Sequence, residues 1–111
     1  MIIEDDPFIA LDMQDAVEGA GYQVIGPIAS RDEALDIIAE DAPDCALLDF
    51  NVRGGTTETI ARQLEKLGVP YLFVTGNSSD VRKALPKLDP LVRSKPVAAK
   101  RIIGDLEALL A

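Results

Sequence analysis

The stretch Ala46-Leu47-Leu48-Asp49-Phe50-Asn51 constrains this chain more than any other. Apolar residues run straight into a carboxylate, and the pair Gly54-Gly55 follows. Such a run reads as a buried strand whose last residue surfaces at the rim of a sheet. An ionised Asp buried without partners is costly, so Asp49 has to stand at the strand's open end beside something that holds its charge.

The remaining segments read as the frame for that strand. Met1-Ile2-Ile3 is apolar and stops at Glu4-Asp5-Asp6, which makes a short first strand. Pro7 opens a helical pattern with Ile9, Met13, Ala16, Val17 and Ala20 on one face, and Gly21 stops it. Residues 22–28 are rich in β-branched side chains and read as a second strand, broken by Gly26-Pro27 near its end. Ser30-Arg31-Asp32-Glu33 has the form of a capping box, and Ala34, Leu35 and Ile38 continue as a helix. After the turn Asp41-Ala42-Pro43, residues 44–49 form the third strand. A loop through Gly55 leads to a helix over 56–67 with Ile60, Ala61, Leu64 and Leu67 on its buried face, capped by Gly68. Residues 71–75 are a fourth strand ending in Thr75-Gly76, and Asn77 or Ser78 caps a short, weakly patterned helix to Leu85. Leu91-Val92 is a brief fifth strand, and Ile102, Ile103, Leu106, Leu109 and Leu110 mark the last helix.

Five strands alternating with five helices on short loops predict one α/β domain over residues 1–111. The expected form is a flavodoxin-like (βα)5, doubly wound parallel sheet of strand order 2-1-3-4-5. Parallel strands share one C-terminal edge, and ligands bind there where the strand order reverses. That point lies between strands one and three, whose ends carry Glu4-Asp5 and Asp49. Thr75 ends strand four and Lys95 follows strand five, so all these groups converge on one edge.

Clustered carboxylates repel and need a cation at pH 7. An all-oxygen set favours a hard divalent ion, and Mg2+ suits a site that must also admit a phosphate. A carboxylate can take up a phosphoryl group as an aspartyl phosphate, while a metal and an ammonium neutralise its oxygens and a hydroxyl hydrogen-bonds one of them. Asp49 is then the acceptor, Asp5 a metal ligand, Lys95 the counter-charge and Thr75 the hydroxyl.

Bulk properties exclude several other chemistries. The net charge of −8 leaves no basic stripe for a nucleic acid. Histidine is absent, which removes His-based acid–base catalysis and the commonest zinc sites. The single cysteine, Cys45, lies in an apolar run and reads as a buried thiol, as Met13 reads as core. No apolar run reaches membrane-spanning length and nothing resembles a signal peptide, so no membrane role and a cytoplasmic location are expected.

The segments Ile-Ile-Glu4-Asp5-Asp6-Pro, Leu-Leu-Asp49-Phe-Asn51, Phe-Val-Thr75-Gly76 and Ser-Lys95-Pro96 together resemble the receiver domain of two-component response regulators. The resemblance covers essentially the whole chain. It implies phosphoryl transfer to Asp49 from a sensor histidine kinase or a histidine phosphotransfer protein, and output by binding a downstream protein whose identity the sequence leaves open. It implies Mg2+ on Asp5, Asp49 and the backbone carbonyl of Asn51, with Glu4 acting through water, and a cis bond before Pro96 is a feature the family suggests. Thr75 becomes the switch hydroxyl, Lys95 the family lysine, and Asn51 and Asn77 sit where side chains modulate phosphoryl lifetime. Asp49-Phe-Asn-Val-Arg-Gly and Val69-Pro-Tyr-Leu-Phe-Val-Thr-Gly-Asn are further similar to single-domain receivers with a Phe-Ala-Thr-Gly signature, the FAT GUY group of alphaproteobacterial stress signalling, which works with HWE or HisKA2-type kinases. Val74 replaces the Ala of that signature, and Asn77 follows Gly76.

Receivers carry Tyr or Phe three residues before the lysine, a ring that swings with the Thr. Here that switch position is Val92, so the change of state is expected to run through Thr75 and residues 76–85. Two other readings compete with a stand-alone receiver. One is a receiver cut from a larger regulator. The other is a small Mg-dependent phosphohydrolase, which lacks its usual second carboxylate because Asn51 stands two residues past Asp49.

Overall fold

The computed structural model describes residues 1–111. A parallel sheet of four strands lies at its centre: β1 (Ile2–Ile3), β2 (Ala46–Leu48), β5 (Tyr71–Thr75) and β6 (Leu91–Ser94), in the order β1-β2-β5-β6. A separate antiparallel hairpin, β3 (Asn51–Val52) with β4 (Gly55–Thr56), follows β2. Five helices complete the chain: α1 (Pro7–Gly19), α2 (Arg31–Glu40), α3 (Glu58–Leu67), α4 (Ser78–Ala84) and α5 (Ala99–Leu110).

Strand alternation sorts the side chains onto two faces. Ile3, Leu48 and Phe73 point to the face covered by α2, α3 and α4, packing with Ile38, Ile60, Leu64 and Val81. Ile2, Leu47, Leu72 and Val74 point to the other, against Met13 and Val17 of α1 and Ile102 and Leu106 of α5. Edge-on ring contacts of Phe73 with Phe50 (6.1 Å) and Tyr71 (6.0 Å) fill the first face. The flavodoxin-like expectation therefore holds, and Cys45 and Met13 are core residues as read.

The second strand departs from expectation. Residues 22–28 lie beside β1 in the expected edge place, but only an isolated bridge between Ile3 and Ile28 forms there. Hydrogen bonds Ile2 N–H to Ile25 O (3.0 Å), Ile28 N–H to Ile2 O (2.9 Å) and Glu4 N–H to Ile28 O (2.9 Å) hold the segment. The cause is local. Pro27 has no N–H to donate, and Gly26, at φ 105°, turns where a Cβ would come within 2.8 Å of Ile2 O. The expected order 2-1-3-4-5 survives as an arrangement in space, with its outer member reduced to a bridge.

Three smaller departures concern the rims. The stretch read as a loop through Gly55 forms the β3–β4 hairpin, and α3 starts at Glu58 rather than 56. Leu67 and Leu110, expected in the core, are 46% and 37% exposed, and Ala20 is exposed beyond the end of α1. Each lies in the last turn of a helix or just past it, where the chain runs off the sheet. The Lys95-Pro96 bond is cis, as is Gly26-Pro27.

Arg93 of β6 forks onto Asp105 of α5, with Nε to Oδ2 at 2.7 Å and Nη2 to Oδ1 at 2.9 Å. The guanidinium holds the Asp105 carboxyl below its usual value of 3.8. A depressed carboxylate stabilises the fold above its unfolded pKa and loses that contribution as pH falls through the folded one. The stability gap between the wild type and Asp105→Asn, from urea unfolding, is expected to stay constant from pH 8 to about pH 5 and to shrink steadily below about pH 4. In the same assay Leu64→Ala is expected to cost about 3 kcal/mol. Leu67→Ala should stay within about 0.5 kcal/mol, which tests the corrected core boundary.

Candidate functional site

The C-terminal edge of the sheet gathers the chemistry. β1 delivers Glu4 and Asp5, β2 delivers Asp49, β5 ends on Thr75, and β6 leads into Lys95. Asp49 is placed by its own N–H, which donates to Ile3 O at 2.9 Å. Lys95 is placed in the same way by its N–H on Thr75 O, also at 2.9 Å. Backbone pairing thus fixes both residues before their side chains meet.

The Lys95 ammonium bridges two carboxylates. It donates to Glu4 Oε1 in a short contact and to Asp49 Oδ2 at 3.1 Å. Glu4 is fully buried, and the Asp49 and Lys95 side chains are only 11% and 19% exposed. Glu4 Oε2 accepts the Asp6 N–H at 3.2 Å, and Asp49 Oδ1 accepts the Phe50 N–H at 2.7 Å. Asp6 turns away from the cluster and caps α1, accepting from Phe8 N–H at 2.9 Å and Ile9 N–H at 3.2 Å. Burial pushes the Glu4 carboxyl up against the pull of Lys95. Burial would lower the Lys95 ammonium, but its hydrogen bonds to Glu4 and Asp49 outweigh that and hold it above its ordinary value.

Glu4, Asp5 and Asp49 each offer a carboxylate oxygen, all within 4.8 Å of one another. Hard oxygen donors at this spacing fit a divalent cation such as Mg2+, with exposed Asp5 on the solvent side. Of the other residues singled out in the sequence, Thr75 is fully buried, and its Oγ1 accepts the Asn77 N–H at 3.1 Å. The Asn77 side chain is exposed and makes no cap bond to α4. Asn51, also exposed, opens the hairpin two residues past Asp49. Val92 is buried in register with Phe73 and packs in the same apolar layer.

One polar residue escapes the sequence reading. Thr57 is fully buried at the start of α3, and its hydroxyl donates to Asp49 O at 2.7 Å. Reading the third helix from 56 placed Thr57 inside it. The signal that could have found it is a Thr directly before Glu58, the pattern of a helix cap.

Comparison with known proteins identifies the family. The model of the "Response regulator receiver domain" family matches residues 1–106. The phyllosphere-induced regulator PhyR of Methylorubrum extorquens is 37% identical over 78 residues, 68% of this chain but 29% of that protein. The solution structure of SdrG from Sphingomonas melonis Fr1 superposes with a TM-score of 0.80 at 32% identity, covering 99% of this chain and 93% of that one. A mutant of the anti-anti-sigma factor PhyR from Bartonella quintana superposes at 0.84 with 26% identity, covering 99% of this chain and 47% of that one. The chain therefore spans under a third and about half of the two PhyR proteins. With four strand ends converging on an acidic cluster and a lysine, and a family match over nearly its whole length, the chain belongs to the receiver domain family of response regulators.

Proposed function

We propose that this receiver accepts a phosphoryl group on Asp49 from a histidine kinase or histidine phosphotransfer protein and signals by binding another protein. The observation that carries the reading is the Lys95 ammonium bridging Glu4 and Asp49 beside a three-carboxylate cluster. An Asp49 oxygen forms the new P–O bond as the P–N bond to the donor imidazole breaks. Asp5 and Asp49, with the Asn51 carbonyl and Glu4 through water, are the residues that would hold Mg2+. That ion supplies positive charge to the phosphoryl oxygens. Lys95, poised at 3.1 Å from Asp49, adds a second positive charge. Thr75 offers a hydroxyl whose own proton is left free by its acceptor bond from Asn77 N–H. The reactions are confined to the protein's own aspartate, so it is a signalling module rather than an enzyme acting on a free substrate.

Several features bear on partners. Residues 1–30 hold six acidic side chains, Glu4, Asp5, Asp6, Asp12, Asp15 and Glu18, and no Lys or Arg. On α1, Phe8 is 81% exposed. This acidic, apolar-tipped helix beside the site supports it as the kinase-facing surface. At the final strand–helix region Arg93 is committed to Asp105, which leaves the exposed Lys100 and Arg101 as the cations that support a target-binding surface there. Similarity to SdrG over 93% of that chain supports a stand-alone receiver, and the resemblance of Phe73-Val74-Thr75-Gly76 to the FAT GUY signature supports an HWE or HisKA2-type kinase. Similarity to an anti-anti-sigma factor supports output by protein–protein contact. A cytoplasmic location goes with this role, and no helix is long and apolar enough to cross a membrane.

Incubated with a radiolabelled, phosphorylated HWE-type kinase and Mg2+, the wild type is expected to take up label, and Asp49→Asn or wild type in excess EDTA to take up none. Label persisting on Asp49→Asn overturns the assignment. Because Thr75 is tied to Asn77 while Val92 is buried, the activation mimic beryllofluoride is expected to change amide exchange in residues 76–85 more than in β6. Unchanged exchange in 76–85 sinks that route.

A further inference from the structure

We infer that Thr57 is a positioning residue for the Asp49 carboxylate, acting through the Asp49–Phe50 peptide; the inference rests on Asp49 being the phosphoryl acceptor. Thr57 stands at the cap position of α3, where a Thr ordinarily turns its oxygen onto an N–H of the first helical turn. It makes no such bond. Its hydroxyl instead donates back to Asp49 O at 2.7 Å, with Phe50 O further off at 3.4 Å, while its N–H donates to Phe50 O at 2.8 Å. One buried residue therefore holds two successive carbonyls, those of Asp49 and Phe50.

The consequence lies in the peptide between them. Its carbonyl oxygen is held by Thr57, and its N–H donates to Asp49 Oδ1 at 2.7 Å. A carbonyl that accepts a hydrogen bond polarises its amide and makes the N–H a better donor. The peptide plane is fixed from the α3 side, so the amide locks Oδ1 and turns Oδ2 towards Lys95. Thr57 touches neither the phosphoryl group nor a metal ligand's side chain. It sets which face each carboxylate oxygen presents, and a preorganised nucleophile reacts faster than a rotating one. The hairpin between Asp49 and Thr57 shapes this contact, because residues 51–56 must fold back for a hydroxyl eight residues on to reach the strand end.

Thr57→Val keeps the shape and removes the hydroxyl, whereas Thr57→Ser keeps the hydroxyl. Two readouts separate positioning from general stability. The first is the rate constant for labelling by acetyl phosphate at saturating Mg2+, well below the unfolding temperature. Thr57→Val is expected to lower it roughly ten- to a hundredfold, with Thr57→Ser within about threefold of wild type. The second is the Phe50 amide proton shift in the absence of phosphodonor, expected to move upfield in Thr57→Val and not in Thr57→Ser. A wild-type rate and shift in folded Thr57→Val overturn the inference, as does a Thr57→Ser variant as slow as Thr57→Val. Should Thr57→Val not fold, Thr57→Ala is read in the same way. A wild type that no phosphodonor labels refutes the proposed function instead, and the Phe50 shift then still decides whether Thr57 orients the carboxylate.

Discussion

The ammonium of Lys95 between Glu4 and Asp49 is the contact on which the rest of this molecule depends. It joins residues 91 and 46 positions apart in the chain and neutralises charge at a place where burial makes charge expensive. Removing one partner from a buried ion pair costs about 3–5 kcal/mol, a large fraction of the about 5–15 kcal/mol that holds a small domain together. A fully buried Glu4 is tolerable only because Lys95 reaches it and the Asp6 N–H covers its other oxygen. A single lysine cannot also neutralise Asp5 and Asp49 fully. The cluster is left with a deficit of positive charge that a divalent ion can fill.

Backbone pairing makes that contact possible. Asp49 N–H on Ile3 O and Lys95 N–H on Thr75 O bring the ends of four strands level, so the functional side chains are spaced by the sheet rather than by flexible loops. The strand interiors are apolar on both sides, which leaves the strand ends as the place where polar groups can be tolerated together. The same alternation that builds two hydrophobic layers therefore collects the acidic groups and the lysine on one rim.

This logic explains which parts were legible in the sequence. Apolar runs that end abruptly in Glu4, Asp49, Thr75 or just before Lys95 carry their meaning locally, so the sheet, its order and the converging groups could be read directly. Residues 22–28 misled because β-branched composition reports fitness for a pleat, whereas Pro27's missing donor and Gly26's backbone turn decide the pairing. The β3–β4 hairpin was hidden because it leans on a distant loop, through Arg31 N–H on Arg53 O at 2.9 Å and Arg53 N–H on Ala29 O at 3.0 Å. Thr57 was hidden for a related reason, since its hydroxyl serves a strand end eight residues back rather than its own helix. Leu67 and Leu110 keep helical periodicity past the point where the sheet gives them anything to bury against.

Two threonines connect the charged rim to the helices around it. Thr57 ties the carbonyl of Asp49 to the start of α3, and Thr75 ties the end of β5 to the Asn77 amide that precedes α4. Thr57, at the cap position of α3, spends its hydroxyl on Asp49, and Asn77, at that of α4, makes no side-chain bond, so both helices begin without a side-chain cap. An uncapped start leaves first-turn N–H groups without a side-chain partner and makes that turn easier to rearrange. α4 has only seven residues, and its far end is held where Arg62 of α3 donates to Ala84 O at 3.3 Å. Asp49 is therefore joined to the start of α3 through one hydroxyl, and the end of β5 to the approach of α4 through another.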